Sequence, residues 1–176
     1  MTMKVVSGRP TRFARAAFVW MRGILVNELI SSEMVHRRFR WRLLRMFGHD
    51  VQRSTISSRV FVGGTGVHIG AGSFVNRGVF IDCAADVWIG SNVSIGQEAM
   101  IVTGSHELGG ASRRAGRDAP APVRIDDGCW IGARAIILPG VRIHSGAVVG
   151  AGSVVTRDCE PDTKYVGTPA RPLGKI

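Results

Sequence analysis

The stretch Ile125–Glu160 reads IDDGCW, IGARAI, ILPGVR, IHSGAV, VGAGSV and VTRDCE, six units of six residues without a break. The units open on Ile125, Ile131, Ile137, Ile143, Val149 and Val155, and a small or β-branched residue recurs at the fifth place. A strand alternates faces every two residues and a helix turns every 3.6, so neither alone gives a period of six. A short strand plus a tight turn does, if it repeats so that every opener points into one interior. Such a unit cannot bury its apolar residue by itself, whereas stacked units build a continuous core, which is the logic of a parallel β-helix. Three units per coil gives about 18 residues per turn of the solenoid, with glycines marking corners that need positive φ or close backbone approach.

The rhythm extends upstream. IGAGSF, VNRGVF and IDCAAD begin at Ile69, two residues are skipped, and IGSNVS, IGQEAM and IVTGSH run from Ile89 to His106. Between His106 and Val123 the text ELGGASRRAGRDAPAP has no opener in phase and is rich in Gly, Pro and Arg. It reads as an excursion loop near 107–122, thrown out of the coil. A solenoid sets rigid scaffold on either side of such a loop, so residues at its base are well placed. His106 stands at that base.

Composition agrees with one narrow core and an extension. The chain has 176 residues, 23 of them glycine, with only 7% aromatics, which suits a slender coil. Cys83, Cys129 and Cys159 are odd in number and lack any metal spacing, so they read as reduced thiols of a cytosolic protein. No secretory signal is expected, because Arg22 interrupts the short apolar run Ala16–Met21, and no run approaches the roughly 18 to 20 residues that span a bilayer. The expected location is the cytoplasm, with the inner face of the membrane as a variant of it.

The net charge of +10 is unevenly spread: residues 1–60 carry 12 Lys or Arg against Glu28, Glu33 and Asp50, leaving residues 61–176 nearly neutral. The sequence therefore divides into a basic N-terminal segment, 1–50, and a solenoid domain, 51–176. From Arg12 to about Phe47 the pattern predicts helix in two pieces meeting near Ser31 and Ser32, either of which could cap the second. On a wheel of the second piece Val35, Phe39, Leu43, Met46 and Phe47 share one side, and Arg37, Arg38, Arg42 and Arg45 the other with Trp41. The apolar side would cover the open end of the solenoid, and the basic side would suit peripheral contact with an anionic membrane. Nucleic acid is not expected, since the cluster carries no recognition motif.

Three segments, IGSNVSIGQEAMIVTGSH, IDDGCWIGARAIILPGV and VVGAGSVVTRDCEPDTKYVGTPARPLGKI, resemble the hexapeptide-repeat, left-handed β-helix acyltransferases. The resemblance covers about residues 51–176 and is nearest to the maltose and galactoside O-acetyltransferase branch, with its relatives that acetylate cell-surface sugars. It implies a mainly β, left-handed coil, although general topology favours right-handed crossovers. It implies a homotrimer with sites between subunits, acetyl-CoA as co-substrate and no metal. His106 matches the catalytic histidine, a general base that takes the proton of an acceptor hydroxyl as it attacks the thioester. Asn76 matches an asparagine that touches the acceptor, Trp130 a tryptophan beside the pantetheine and acetyl region, and Glu107 stands where it could orient the imidazole or meet the acceptor. For CoA the matched positions are Ala133 and Ala151, eighteen residues apart, with Thr156, Arg157 and Arg171 placed for the nucleotide phosphates. Departures exist: Gly174 replaces a cation expected after Arg171, Ala84 replaces an aspartate, and residues 1–50 do not match the branch's own N-terminal segment.

Other readings stay open on sequence. An amine acceptor on an amino sugar, or a xenobiotic or natural-product acceptor, would use the same histidine and repeats. A noncatalytic solenoid serving as an interaction platform would not need the loop. A γ-class carbonic anhydrase shares the coil but needs a three-histidine zinc set that His68, His106 and His144 do not supply, and a serine acetyltransferase needs a far larger helical N-terminal domain.

Overall fold

In the computed structural model residues 20–176 are described. Each opener of the repeat is buried: Ile69, Val75, Ile81, Ile89, Ile95, Ile101, Ile125, Ile131, Ile137, Ile143, Val149 and Val155 are all at most 3% exposed. Strands of two or three residues carry them, and the chain turns after each. The openers fall into three columns because a coil uses three units. Ile125 aligns with Ile89 and Ile143, Ile131 with Ile95 and Val149, and Ile137 with Ile101 and Val155, all in parallel register.

Three sheets result. The first joins Asp50–Val51, Val67–Ile69, Val87–Ile89, Val123–Ile125 and Arg142–Ile143. The second runs from Thr55–Ile56 through Phe74–Val75, Ser94–Ile95, Trp130–Ile131 and Val148–Val149 to a closing antiparallel pair, Thr163–Gly167 and Ala170–Lys175. The third stacks Phe61–Val62, Phe80–Ile81, Met100–Ile101, Ile136–Ile137 and Val154–Val155. The fifth-place residues Cys129, Ala135, Val141, Ala147, Ser153 and Cys159 are buried as well, and their small volume lets the three sheets approach one another. Burial pushes the thiols of Cys129 and Cys159 up, to about 11 and about 12, so they are inert core residues.

Corners repeat with the strands. Between the first and second sheets positive φ recurs at Gly72, Asn92, Gly128, Gly146 and Asp162, so the corner geometry persists where no glycine supplies it. The expected excursion is present and is itself ordered: His106–Leu108 pairs antiparallel with Ala115–Asp118, and the chain re-enters the first sheet at Val123.

The N-terminal part differs from the wheel. Residues 20–24 are α-helical and continue as a π-helical turn, Leu25–Ile30; the second helix is only Arg40–Met46. The predicted start near Arg12 lies outside the described residues. Neither serine caps the second helix, since Ser31 Oγ donates to the Val60 carbonyl and Ser32 Oγ to the Leu29 carbonyl. The buried positions of that helix are Arg40 and Leu44; of the expected apolar side Leu43 and Phe47 are partly buried against the core, while Phe39 and Met46 are exposed. The reason is the guanidinium of Arg40, which donates to the carbonyls of Ile30, Ser32 and Ile56 and so closes the end of the first coil with polar contacts. No helix among the described residues is long and apolar enough to cross a membrane.

His49 is buried beside this closure. Its Nε2 lies 2.8 Å from Arg22 Nη2, and since a guanidinium only donates, Nε2 must be the unprotonated nitrogen. Nδ1 then carries the proton and has no partner among the described residues. Burial first, then the nearby Arg22 charge, lowers the His49 pKa to about 4. The unfolded chain therefore takes up this proton before the folded one, near the ordinary histidine value of about 6.5. The contribution of neutral His49 is complete above that value and is lost as pH falls toward 4. Tm measured across this window should fall on acidification, and His49→Gln should flatten that part of the profile.

Candidate active site

Two groups of the proposed residues lie on different edges of the coil. The first group lines a groove of about 680 Å³ over the second sheet. Asn76, Trp130, Ala133 and Ala151 all border it, together with Phe74, Gln97 and Lys164. They meet because each follows or occupies a strand of that sheet: Trp130 aligns with Ser94 and Val148, and its ring stands outward, 58% exposed. The groove floor is backbone. A Cβ at Gly96 would fall 2.5 Å from the Ala133 amide nitrogen, and one at Gly132 would fall on that of Ala151, so side chains there would block the coil-to-coil approach. Asn76 is held by its own loop and by the next coil, its Oδ1 accepting from the Arg77 N–H at 2.8 Å and its Nδ2 donating to Gln97 Oε1 at 3.3 Å. Gln97 and Lys164 were not anticipated from sequence; Gln97 sits in the turn stacked on that of Ala133, and Lys164 is registered beside Val148, itself beside Trp130, which is the signal a coil-by-coil alignment would have given.

The second group sits where the chain leaves the third sheet. His106 opens the excursion hairpin after Ile101, and Thr156 and Arg157 follow the stacked strand Val154–Val155, so neither belongs to the groove of the same chain. Arg171 lies on the C-terminal strand, where Nη1 donates to its neighbouring carbonyl at Ala170. The imidazole of His106 has a carboxylate partner that sequence adjacency did not offer. His106 is registered opposite Asp118 across the hairpin, and Nδ1 lies 3.2 Å from Asp118 Oδ1. Glu107 instead pairs with Arg117 Nε at 3.0 Å. A carboxylate only accepts, so Asp118 places the ring proton on Nδ1 and leaves Nε2 basic.

The departure of the hairpin is tied down by Asp82 in the preceding coil. Oδ2 accepts from the backbone N–H groups of Gly104 at 2.6 Å and Thr103 at 3.1 Å, and Oδ1 from Ala84 at 3.2 Å. Burial alone would raise this carboxyl's pKa, but the three N–H groups with the Thr103 hydroxyl hold it below the ordinary value. The segment that leads to His106 is thus anchored two residues before the ring. Among the described residues no group of three His, Cys, Asp or Glu side chains is disposed to hold a metal ion.

Residues 122–157 match the family described as bacterial transferase hexapeptide (six repeats). Nodulation protein L of Rhizobium meliloti is 47% identical over 111 residues, 63% of this chain and 61% of that protein. Galactoside O-acetyltransferase of Lactococcus lactis is 36% identical over 114 residues, 65% of this chain and 55% of that one. The chain thus spans little more than half the length of the curated relatives it matches. Among solved structures, the hexapeptide-repeat acetyltransferase of Vibrio cholerae complexed with acetyl coenzyme A superposes with a TM-score of 0.78 at 31% identity, covering 94% of this chain and 90% of that one. The chain belongs to the hexapeptide-repeat acetyltransferases.

Proposed function

We propose that this chain is an acetyl-CoA-dependent O-acetyltransferase that acts on a hydroxyl of a sugar or glycan, with His106 as general base. The observation that carries the reading is the His106–Asp118 pair at the base of the hairpin, beside a coil that matches acetyltransferases in fold and sequence. Asp118 fixes the tautomer, so Nε2 takes the acceptor's hydroxyl proton as its oxygen bonds to the acetyl carbon. Collapse of the tetrahedral intermediate then breaks the carbon–sulfur bond, and the imidazolium returns the proton to the departing thiolate. Much of the acceleration comes from holding both substrates in one crevice.

The division of residues between two edges argues for a site shared between copies in a homotrimer. The groove of one subunit, with Trp130, Ala133 and Ala151, would take the pantetheine arm, while His106, Thr156 and Arg157 come from a neighbour. Asn76 and Gln97 would meet the acceptor, and Arg171 and Lys164 the nucleotide phosphates. The test is release of free CoA thiol from acetyl-CoA against a panel of sugars, amino sugars and small alcohols. Release that requires a hydroxyl acceptor is expected; an absolute requirement for an amine would move the reading to N-acetylation, and no release with any acceptor would remove it.

A further inference from the structure

A second groove, of about 880 Å³, opens between the helix Arg40–Met46 and the first coils, and the proposed reaction makes no use of it. Arg38, Arg42 and Arg53 line it with Phe39 and Trp41, over the backbone at Thr55. The three guanidiniums are exposed, and among the described residues none forms an ion pair. Outside the groove, Arg77 reaches Glu33 at 2.9 Å and Arg59 approaches the same carboxylate at 4.0 Å, while the exposed Arg37 and Arg45 do not line the groove. Among the described residues no carboxylate borders the groove. Three unmatched cations around one concavity repel each other, and an anion between them removes that repulsion.

We propose that this groove binds a phosphate ester, with Arg38, Arg42 and Arg53 holding the phosphate oxygens and Phe39 and Trp41 covering the ester's carbon part. Guanidinium forks match the geometry of phosphate oxygens and bind them in pairs. The volume exceeds that of a bare anion and suits a sugar or a headgroup beside it. The aromatic wall is set for this: Arg42 Cζ lies 5.2 Å from the Trp41 ring centroid and 5.8 Å from that of Phe39, so charge and apolar surface are presented together.

Position links the groove to the acetyl site. Thr55 is registered beside Phe74, which borders the other groove, and the row continues through Ser94 to Trp130. Three strand spacings separate Thr55 from Trp130, about 14 Å at roughly 4.8 Å each. A phosphate ester seated among the arginines therefore lies along the same face as the proposed chemistry.

Binding tests this without any turnover, so it stands or falls apart from the acetyltransferase reading. Calorimetry with glucose 1-phosphate and cosedimentation with phosphatidylglycerol vesicles, against glucose and phosphatidylcholine vesicles, would be run on the whole protein. The comparison is Arg38→Gln/Arg42→Gln/Arg53→Gln, with Arg117→Gln/Arg134→Gln as a charge-reduced control and Tm as the check on folding. Saturable glucose 1-phosphate binding weakened at least tenfold in the triple variant alone assigns the site to a soluble ester. Association with phosphatidylglycerol vesicles alone, lost in the triple variant alone, assigns it to a lipid headgroup. Binding of neither probe, or binding equal in the triple variant and the control, overturns the proposal.

Discussion

His106→Ala should reduce acetyl transfer by about two to four orders of magnitude, the usual contribution of a positioned general base. The loss should fall on kcat, because the imidazole acts on a proton in flight and holds neither substrate in the ground state. Stability should barely change, since the side chain is half exposed on the hairpin and its one ion pair, with an exposed Asp118, is of the kind worth little. Turnover from thiol release, together with Tm, checks both halves. Wild-type kcat in a folded His106→Ala protein would end the mechanism. Asp118→Asn is a companion: the amide can donate to Nδ1 as readily as accept, so the ring is no longer held with Nε2 basic, and kcat should fall while KM for acetyl-CoA stays. A KM effect of equal size would mean that Asp118 binds substrate and does not orient the base.

The core was legible because its signal is periodic and local. The openers from Ile69 to Val155 could be counted off the sequence, and all sit in the buried columns. The two-residue skip before Ile89 was legible too, and the structure absorbs it by a wider turn, in which the Ala85 N–H donates to the Thr103 hydroxyl. The first coil was not readable in the same way, because Val51, Ile56 and Val62 are spaced five and six apart and lie outside the strict frame. The groove residues Asn76, Trp130, Ala133 and Ala151 converge as the stacking of coils requires. What the sequence did not show is what depends on pairing across space. Asp118 lies across a hairpin whose register no repeat dictates, whereas Glu107, the neighbour in sequence, pairs with Arg117. The wheel of the second helix was right for Leu43 and Phe47, which pack against the core, and wrong for Phe39 and Met46, because two turns are too short for periodicity to outweigh one arginine that finds three carbonyls.

That arginine gives the largest expected effect on stability. Arg40 is 3% exposed, and its guanidinium donates from Nε to the Ile30 carbonyl at 3.0 Å and from Nη1 to the Ile56 carbonyl at 3.0 Å, with Nη2 on that of Ser32. Burial lowers its pKa, with Glu33 opposing the shift, yet a guanidinium stays charged and its solvation must be replaced by these carbonyls. Alanine at 40 would leave the Ile30 and Ile56 carbonyls without their side-chain donor at the closed end of the solenoid, while the Ser32 carbonyl keeps the Val35 N–H. Each lost bond to a charged donor costs about 1.5 to 3 kcal/mol, offset by the guanidinium's own desolvation, for a net loss of about 3 kcal/mol. For a chain of this size that corresponds to a Tm lower by about 6 to 12 °C. Arg40→Lys should recover only part of this, because one ammonium cannot span acceptors held by the two edges of the fork. Arg45→Ala, an exposed position on the same helix, should stay within about 0.5 kcal/mol of the parent. Equal melting of Arg40→Ala and Arg45→Ala would show that the first coil closes on its apolar contacts, Val26, Ile30 and Leu44, with no need of the buried charge.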